Sequence, residues 1–429
     1  MAEHRRGANL PSIGGFNRTV VLDAVRRSPD GLSRVELASR TGLSAQTVSN
    51  VTRFLIEAGM IVESGTVVAG RGKPRTILRL EPGSRYAVGV HVDPAVVTYV
   101  LLDLAGTVVA SSTTSTPTAD DPSEVVRTIG SAVDGLIADA GVDVDGVLGV
   151  GIASPGPIDV DAGIVVDPPF LPRWRDVPLR DALAEATGYP VLLEKDVTAA
   201  AVGEMFLAGE SSARNFAFVY FGTGFGVGLV VDHEPVRGVG SNAGDAGHIM
   251  VDQRSLAGTP DGSGTRGEVG AAVAPDRLVR IARERGVALS GGGDAAGAVS
   301  PDGPVSSDGS VDAVNRAWDE LAEAIAAGDE AATTLAAEAG TVMGDAAVVI
   351  VNLLDIDRVV FGGPFWSRIA SAALPAARAA IVGSPLLVPK HAVDVVESDR
   401  GADVAAVGAA CLVLDAALSP RASGLLIRR

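Results

Sequence analysis

Residues 32–60 place two helix starts on either side of a glycine stop, and that punctuation leaves room only for a helix, a tight turn and a second helix. Ser33 and Glu36 have the spacing of a capping box, in which each side chain satisfies a backbone amide at the head of a short helix. Gly42 and Leu43 interrupt that helix, and Ser44 has the chemistry to cap a second one running to about Ala58. In the second helix Val48, Val51 and Leu55 recur at three- and four-residue intervals and make one apolar stripe. The remaining surface offers Gln46, Thr47, Ser49, Asn50, Thr52 and Arg53, the amide, hydroxyl and guanidinium groups that read base edges in a major groove. Helix pairs of this kind also build purely structural bundles, so the pair alone leaves both readings open.

The segment after the helix pair favours DNA. Residues 61–68 and 76–80 have strand character and flank a basic loop at 69–75, the shape of a wing lying beside a recognition helix. Arg71, Lys73 and Arg75 are then set to meet phosphates. The first 80 residues hold 12 Lys or Arg against 6 Asp or Glu, whereas the whole chain carries a formal net charge of −17. An acidic protein repels a polyanion, so its one net-basic segment is where DNA would be met, and that segment coincides with the helix pair. The candidate DNA-binding residues are Ser44, Gln46, Thr47, Ser49, Asn50, Arg53, Arg71, Lys73 and Arg75.

A chain of 429 residues is too long for one core and fits a small head on a two-lobed body. Its sole cysteine, Cys411, excludes an internal disulfide framework and is the usage of a reducing compartment. The start has no signal-peptide pattern and no uncharged stretch of membrane-spanning length is found, so a cytoplasmic protein without membrane partners is expected. Residues 1–15 read as a flexible arm, 16–80 as the winged helix-turn-helix, 81–85 as a hinge and 86–429 as an α/β body with a flexible Gly/Ser/Asp-rich loop near 290–308.

Several marks in the body bear chemistry. Ser154, Pro155, Gly156, Pro157 and Ile158 form a turn at a strand end, a usual place for a ligand-facing loop. Asp196 sits where a strand gives way to an alanine-rich helix, so it is a helix cap, a chemical group, or both. The alternating glycines Gly222, Gly224, Gly226 and Gly228 either bring backbone amides close to a phosphate or sugar, or only tighten a hairpin. A second glycine-rich loop carries Asn242, Asp245 and His248.

Taken in order, these marks, with Gly362 and Gly363 after a later strand, make the chain resemble the ROK family (repressor, open reading frame, kinase), specifically its transcriptional regulators. The resemblance covers about residue 16 onward and implies a winged helix-turn-helix ahead of a body of the actin and hexokinase, or ribonuclease H-like, fold. It implies a sugar or sugar derivative as effector, and a ligand site at Ser154, Pro155, Gly156, Lys195, Asp196, Gly222, Thr223, Gly224, Asn242, Asp245 and His248. Asp196 matches the position that accepts the sugar hydroxyl proton in the family's kinases. Their first phosphate loop, an Asp, a variable residue, two glycines and a Thr, is replaced here by His91, Val92, Asp93, Pro94 and Ala95. Proline lacks an amide donor and Asp93 adds negative charge, so kinase activity, with no catalytic residues or cofactor, is not expected.

The family's zinc site is also altered. His248 remains, but the cysteine positions read Asp261, Ser263 and Glu268, so no zinc is expected; His248 reads as a hydrogen-bonding pocket or core residue, with a harder metal on Asp261, Glu268 and His248 as the minor alternative. The leading expectation is a repressor that binds double-stranded operator DNA as a homodimer or dimer of dimers, its affinity shifted by the ligand. The alternatives are an ATP-dependent sugar kinase and a ligand-independent regulator with a scaffold body.

Overall fold

The computed structural model describes residues 10–67, 74–94, 96–116, 122–168, 171, 174–208, 213–252, 256, 266–290 and 308–418. The head contains α1 (Leu10–Arg26), β1 (Leu32–Ser33), α2 (Arg34–Thr41), α3 (Ala45–Glu57), β2 (Ile61–Val67) and β3 (Arg75–Leu80). The capping box forms as its spacing dictates, with the Ser33 amide donating to the Glu36 carboxylate at 2.8 Å and the Ser33 side chain accepting from the Glu36 amide. Gly42 closes α2 at φ 69°, a left-handed conformation that suits a residue without Cβ. Ser44 caps α3 by accepting from the Thr47 amide at 3.1 Å. Val48, Val51 and Leu55 bury their stripe in the head's core with Val21, Val25 and Leu37. Strands β1, β3 and β2 form an antiparallel sheet, of which β2 and β3 are the wing hairpin.

Three sequence expectations change in and around the head. α1 begins at Leu10, so residues 10–15 of the expected arm are helical; Pro11 stands in the first turn, where a missing amide breaks no helical bond. Thr52 is fully buried rather than part of the reading surface: its hydroxyl accepts from Arg34 Nε at 3.2 Å and donates to the Ser49 carbonyl at 3.3 Å. The expected hinge contains a 3-10 turn at Pro82–Ser84 and is bonded on both sides, Glu81 N to the Met60 carbonyl at 2.9 Å and Leu104 N to the Pro82 carbonyl at 3.0 Å.

The first lobe of the body runs β4 (Tyr86–Val92), β5 (Val96–Asp103), β6 (Val108–Ser115), α4 (Pro122–Ala140), β7 (Val147–Ser154), β8 (Ile158–Asp159), β9 (Ile164–Val165), α5 (Leu179–Thr187), β10 (Val191–Lys195) and α6 (Asp196–Leu207). The second runs β11 (Phe216–Phe221), β12 (Phe225–Val231), β13 (Glu234–Pro235), β14 (Met250–Asp252), β15 (Arg266–Glu268), α7 (Val269–Ala272), α8 (Pro275–Glu284), α9 (Asp308–Ala326), α10 (Glu330–Leu354), β16 (Arg358–Gly362), α11 (Trp366–Val382), β17 (Asp394–Glu397) and α12 (Val404–Leu418). Most of the expected low-complexity loop, residues 291–307, lies outside the described residues.

The two large sheets have one topology. In the order β10-β7-β4-β5-β6 the hairpin pairs are antiparallel and β4-β7 and β7-β10 parallel; β13-β12-β11-β16-β17 repeats the order and the senses. A hairpin meander joined to two crossover strands has thus been built twice in one chain. Helices α4 and α5 cover the outer face of the first sheet, α10 and α11 that of the second, and α6 and α12 lie between the sheets. The inner layer is tight enough to require glycine: a Cβ at Gly151 of β7 would come 1.8 Å from the Ala409 carbonyl oxygen, and one at Gly408 of α12 would come 2.0 Å from that of Ala199 on α6. By length and composition the segments Glu330–Leu354 and Gly401–Leu418 are apolar enough to cross a membrane, yet both are largely buried in the body.

Candidate functional site

α3 turns Gln46, Asn50 and Arg53 outward on one face, since steps of four and three return to the same side of a helix. Gln46 Nε2 donates to Asn50 Oδ1 at 3.3 Å, which aligns the two amides side by side. The other three helix candidates serve the helix itself. Ser44 is its cap, its hydroxyl lies 2.9 Å from that of Thr47, and the Ser49 hydroxyl bonds the Ala45 carbonyl at 2.8 Å. Arg75 is exposed at the start of β3, while Arg71 and Lys73 lie outside the described residues. Sequence reasoning missed Arg18, whose guanidinium lies 3.8 Å from the Phe54 ring centroid and puts another cation on the exposed α1 and α3 edge. Nothing in a one-dimensional pattern couples those two positions.

The head meets the body through Arg26. Its guanidinium is 4% exposed, bonds Asp23 at 2.7 Å, donates to the Phe206 carbonyl at 2.8 Å and lies 3.8 Å from the Phe206 ring centroid. A cation on a carbonyl in the last turn of α6 also matches the negative end of the helix dipole. α6 therefore carries the head at its C-terminal end and Asp196 at its N-terminal end.

Around that N-terminal end the structure gathers Ser154, Pro155, Gly156, Lys195 and Asn242. Ser154 is fully buried at the end of β7, and a Cβ at Gly156 would meet Lys195 Cε at 3.1 Å and Asn242 Oδ1 at 3.2 Å. Asn242 bridges the lobes: its Oδ1 accepts from the Ile158 amide at 2.8 Å and its Nδ2 donates to the Ile158 carbonyl at 2.7 Å. Lys195 Nζ donates to the Asn242 carbonyl at 3.2 Å. Beside it the buried Glu194 pairs with Arg237 at 2.5 Å, a second bond between lobes that the sequence did not reveal.

Asp196 begins α6 rather than capping it, and its Oδ1 accepts from the Val197 amide at 2.7 Å. Burial raises its pKa from 3.8 to about 6, with the charges of Asp93 and Asp245 adding to the rise and the Val197 amide and Lys195 opposing it. Asp93, in the turn between β4 and β5, stands 3.5 Å from the Thr223 hydroxyl in the turn between β11 and β12, so equivalent turns of the two lobes face each other. Gly222 and Gly224 close the second of those turns through a 3.0 Å backbone bond. His91 is buried next to Tyr220, ring centroids 6.3 Å apart, and burial pushes its pKa down to about 4, which leaves it neutral at pH 7.

Asp245 is exposed at the rim. His248 is not a core residue: its side chain is 73% exposed and its Nδ1 lies 3.1 Å from Glu268, which raises its pKa. Asp261 lies outside the described residues, and among those described no three His, Cys, Asp or Glu side chains are grouped to hold a metal. The facing turns of the two lobes therefore bring the Asp93 carboxylate close to Thr223, and the N-terminal end of α6 places the Asp196 carboxylate on the same boundary.

The ROK family model matches residues 87–416, and a winged helix-turn-helix DNA-binding model matches residues 21–62. A xylose repressor of Bacillus subtilis is 28% identical over 57% of this chain and 63% of its own length. A glucokinase of Halalkalibacterium halodurans is 31% identical over 47% of this chain and 60% of its own. The chain thus spans about three-fifths of the curated relatives it matches. In fold it is similar to the crystal structure of a ROK family transcriptional regulator described as a homologue of the E. coli MLC protein, with a TM-score of 0.70, 22% identity and coverage of 95% of this chain and 98% of that one.

Proposed function

The chain belongs to the ROK family, and on that premise we propose that it is a transcriptional regulator, a repressor of carbohydrate uptake or metabolism genes whose operator affinity responds to a sugar or related polyhydroxyl ligand in the cleft. The observation that carries this reading is α6, with Asp196 in the cleft at one end and the Arg26 of the DNA-binding head on its other end. A ligand that binds one setting of the two lobes better than another shifts α6, and linkage then changes DNA affinity by the same free energy.

The body acts as a sensor rather than as a kinase. Phosphoryl transfer needs backbone amides and cations around the phosphates, and the turn at His91, Asp93 and Pro94 supplies a neutral ring, a carboxylate and a residue without an amide hydrogen. Asp196 then orients a ligand hydroxyl. Two copies related by a twofold axis would present two α3 helices to successive turns of a palindromic operator.

The test is to map the DNA bound by the full chain in cells and to titrate the recovered fragments with pentoses, hexoses and their derivatives. Palindromic sites beside sugar genes, lost in an Asn50→Ala, Arg53→Ala double variant and released by one of these compounds, are expected. Absence of discrete sites, or transfer of phosphate from ATP to a bound sugar, would overturn the reading.

A further inference from the structure

Helices α10 and α11 approach so closely that their contact requires glycine: a Cβ at Gly344 would come 2.8 Å from the Ala377 carbonyl oxygen, and Gly340 meets Ala373 in the same way one turn earlier. These two contacts make the helices parallel and fix their register, which continued past Gly344 sets Val349 level with Val382. Leu353 follows Val349 by one turn on the same side of α10. Where the pair ends, Asn352 clips the next segment in place: its Nδ2 donates to the Leu386 carbonyl at 2.9 Å, and its Oδ1 accepts from the Val388 amide at 2.9 Å. Leu387 packs against the core of the second lobe and its neighbours are left outward. Leu386 is 72% exposed, Val388 67% and Leu353 79%, with Val349 and Val382 about half exposed.

Five large apolar side chains thus share one surface at the end of a helix pair. Scattered singly, exposed apolar residues need no explanation; gathered into a patch, they mark a surface that another molecule covers. The Asn352 clip holds Leu386 and Val388 before any partner arrives, so little ordering entropy is lost on contact. Pro385 and Pro389 take two amide donors out of the segment, which makes it a poor edge for an added strand. A partner is met here by side chains.

The rim identifies that partner. His391 Nε2 lies 3.1 Å from the Asp355 carboxylate; Asp357 acts on the same imidazole, and Lys390 is its neighbour in the chain. Lys390 and Asp357 are both exposed, and neither is in an ion pair among the described residues. A bilayer or a nucleic acid would ask for a basic border, whereas this one carries both signs. A second copy of this chain brings the same border turned by a twofold axis, so that unpaired charges of opposite sign can face each other across it. Its own α10 and α11 would complete a four-helix packing over the patch. We propose that this surface, centred on Leu353 and Leu386, is where two copies of the chain join to make the dimer that a palindromic operator requires. The assignment rests on the regulator reading above and names the partner and its surface.

The experiment is sedimentation velocity of the full chain over a range of concentrations beside Leu353→Asp, Leu386→Asp and a control of equal charge, Val108→Asp, at a residue 49% exposed on β6. Circular dichroism checks that all four are folded alike, and Leu386, on a clipped loop, keeps the test decisive if the Leu353 change disturbs α10. The full chain and the control should be dimers. Each patch variant should raise the dimer dissociation constant about 30-fold or more, the loss of one central hot spot. Each should also bind a single half-site as the full chain does and lose the added affinity for the palindrome. A dimer that survives both patch substitutions overturns the surface assignment and leaves the regulator reading standing. A monomeric full chain overturns it too, and gives the patch to a different protein. If the patch variants are monomers but the full chain binds no discrete operator, the regulator reading falls and the dimer surface stands.

Discussion

Asn50 and Arg53 are exposed on α3 and pack against nothing that the head needs for its core, so their removal separates recognition from stability. Asn50→Ala and Arg53→Ala should each weaken specific operator binding by about 1–3 kcal/mol and leave the melting temperature unchanged. Anisotropy titrations with competitor DNA, beside a thermal melt, check both halves. Asp196 gives the opposite kind of prediction. Its folded pKa of about 6 lies above the 3.8 of the unfolded chain, so the folded state holds the proton more tightly between those values and loses stability as pH rises through them. Asp196→Asn should therefore stabilise the protein at pH 7.5 by at most about 3 kcal/mol and have little effect below pH 4, as read by urea unfolding at the two values. Residues whose roles are local were legible in the sequence: Ser33, Glu36, Gly42 and Ser44 act within one helical turn and do what their spacing implies. Residues whose roles depend on distant partners were not. Thr52 is buried by contact with Arg34, Asn242 is held by Ile158 from 84 positions away, and His248 stands exposed with its Nδ1 on Glu268.

Among elements, α6 has the most to lose from a change at either end. Arg26→Met keeps the aliphatic stem but leaves the Phe206 carbonyl without its cation, while Asp23 keeps Arg27 at 2.8 Å. The variant should be less stable by about 1–3 kcal/mol. Its operator affinity should also respond less to ligand although α3 is untouched, which parallel titrations of ligand and DNA would register. Gly408→Ala belongs to the same layer: the added methyl would lie 2.0 Å from the Ala199 carbonyl oxygen, so α12 must move off α6 at a cost of about 1–3 kcal/mol, seen as a lower midpoint in denaturant. Periodicity located α3, since its core face of Val48, Val51 and Leu55 repeats at fixed intervals. It placed the start of α1 too late because Gly14 and Gly15 read as loop, although a helix held by tertiary packing tolerates both.

For the whole molecule, charge is divided between parts that must not be confused. The chain is acidic overall, so DNA is attracted only locally and binding should weaken steeply with salt. Arg75→Ala in the full chain should flatten the slope of log affinity against log salt by about 1, whereas Asn50→Ala should leave it unchanged. The overall architecture was legible because an ordered series of turns survives even where their chemistry has changed; the contents of the cleft were not, because they depend on which turns the two lobes bring face to face, as with Asp93 and Thr223. The placement of α12 bears on how such a molecule is made. A ribosome delivers β4 and β7 long before Val404–Leu418, yet that late helix is what covers their inner face. During translation the first sheet must wait half-clad until α12, an apolar helix that is largely buried in the finished body, emerges to cover it. A chain stopped a few dozen residues early would lose far more than its tail.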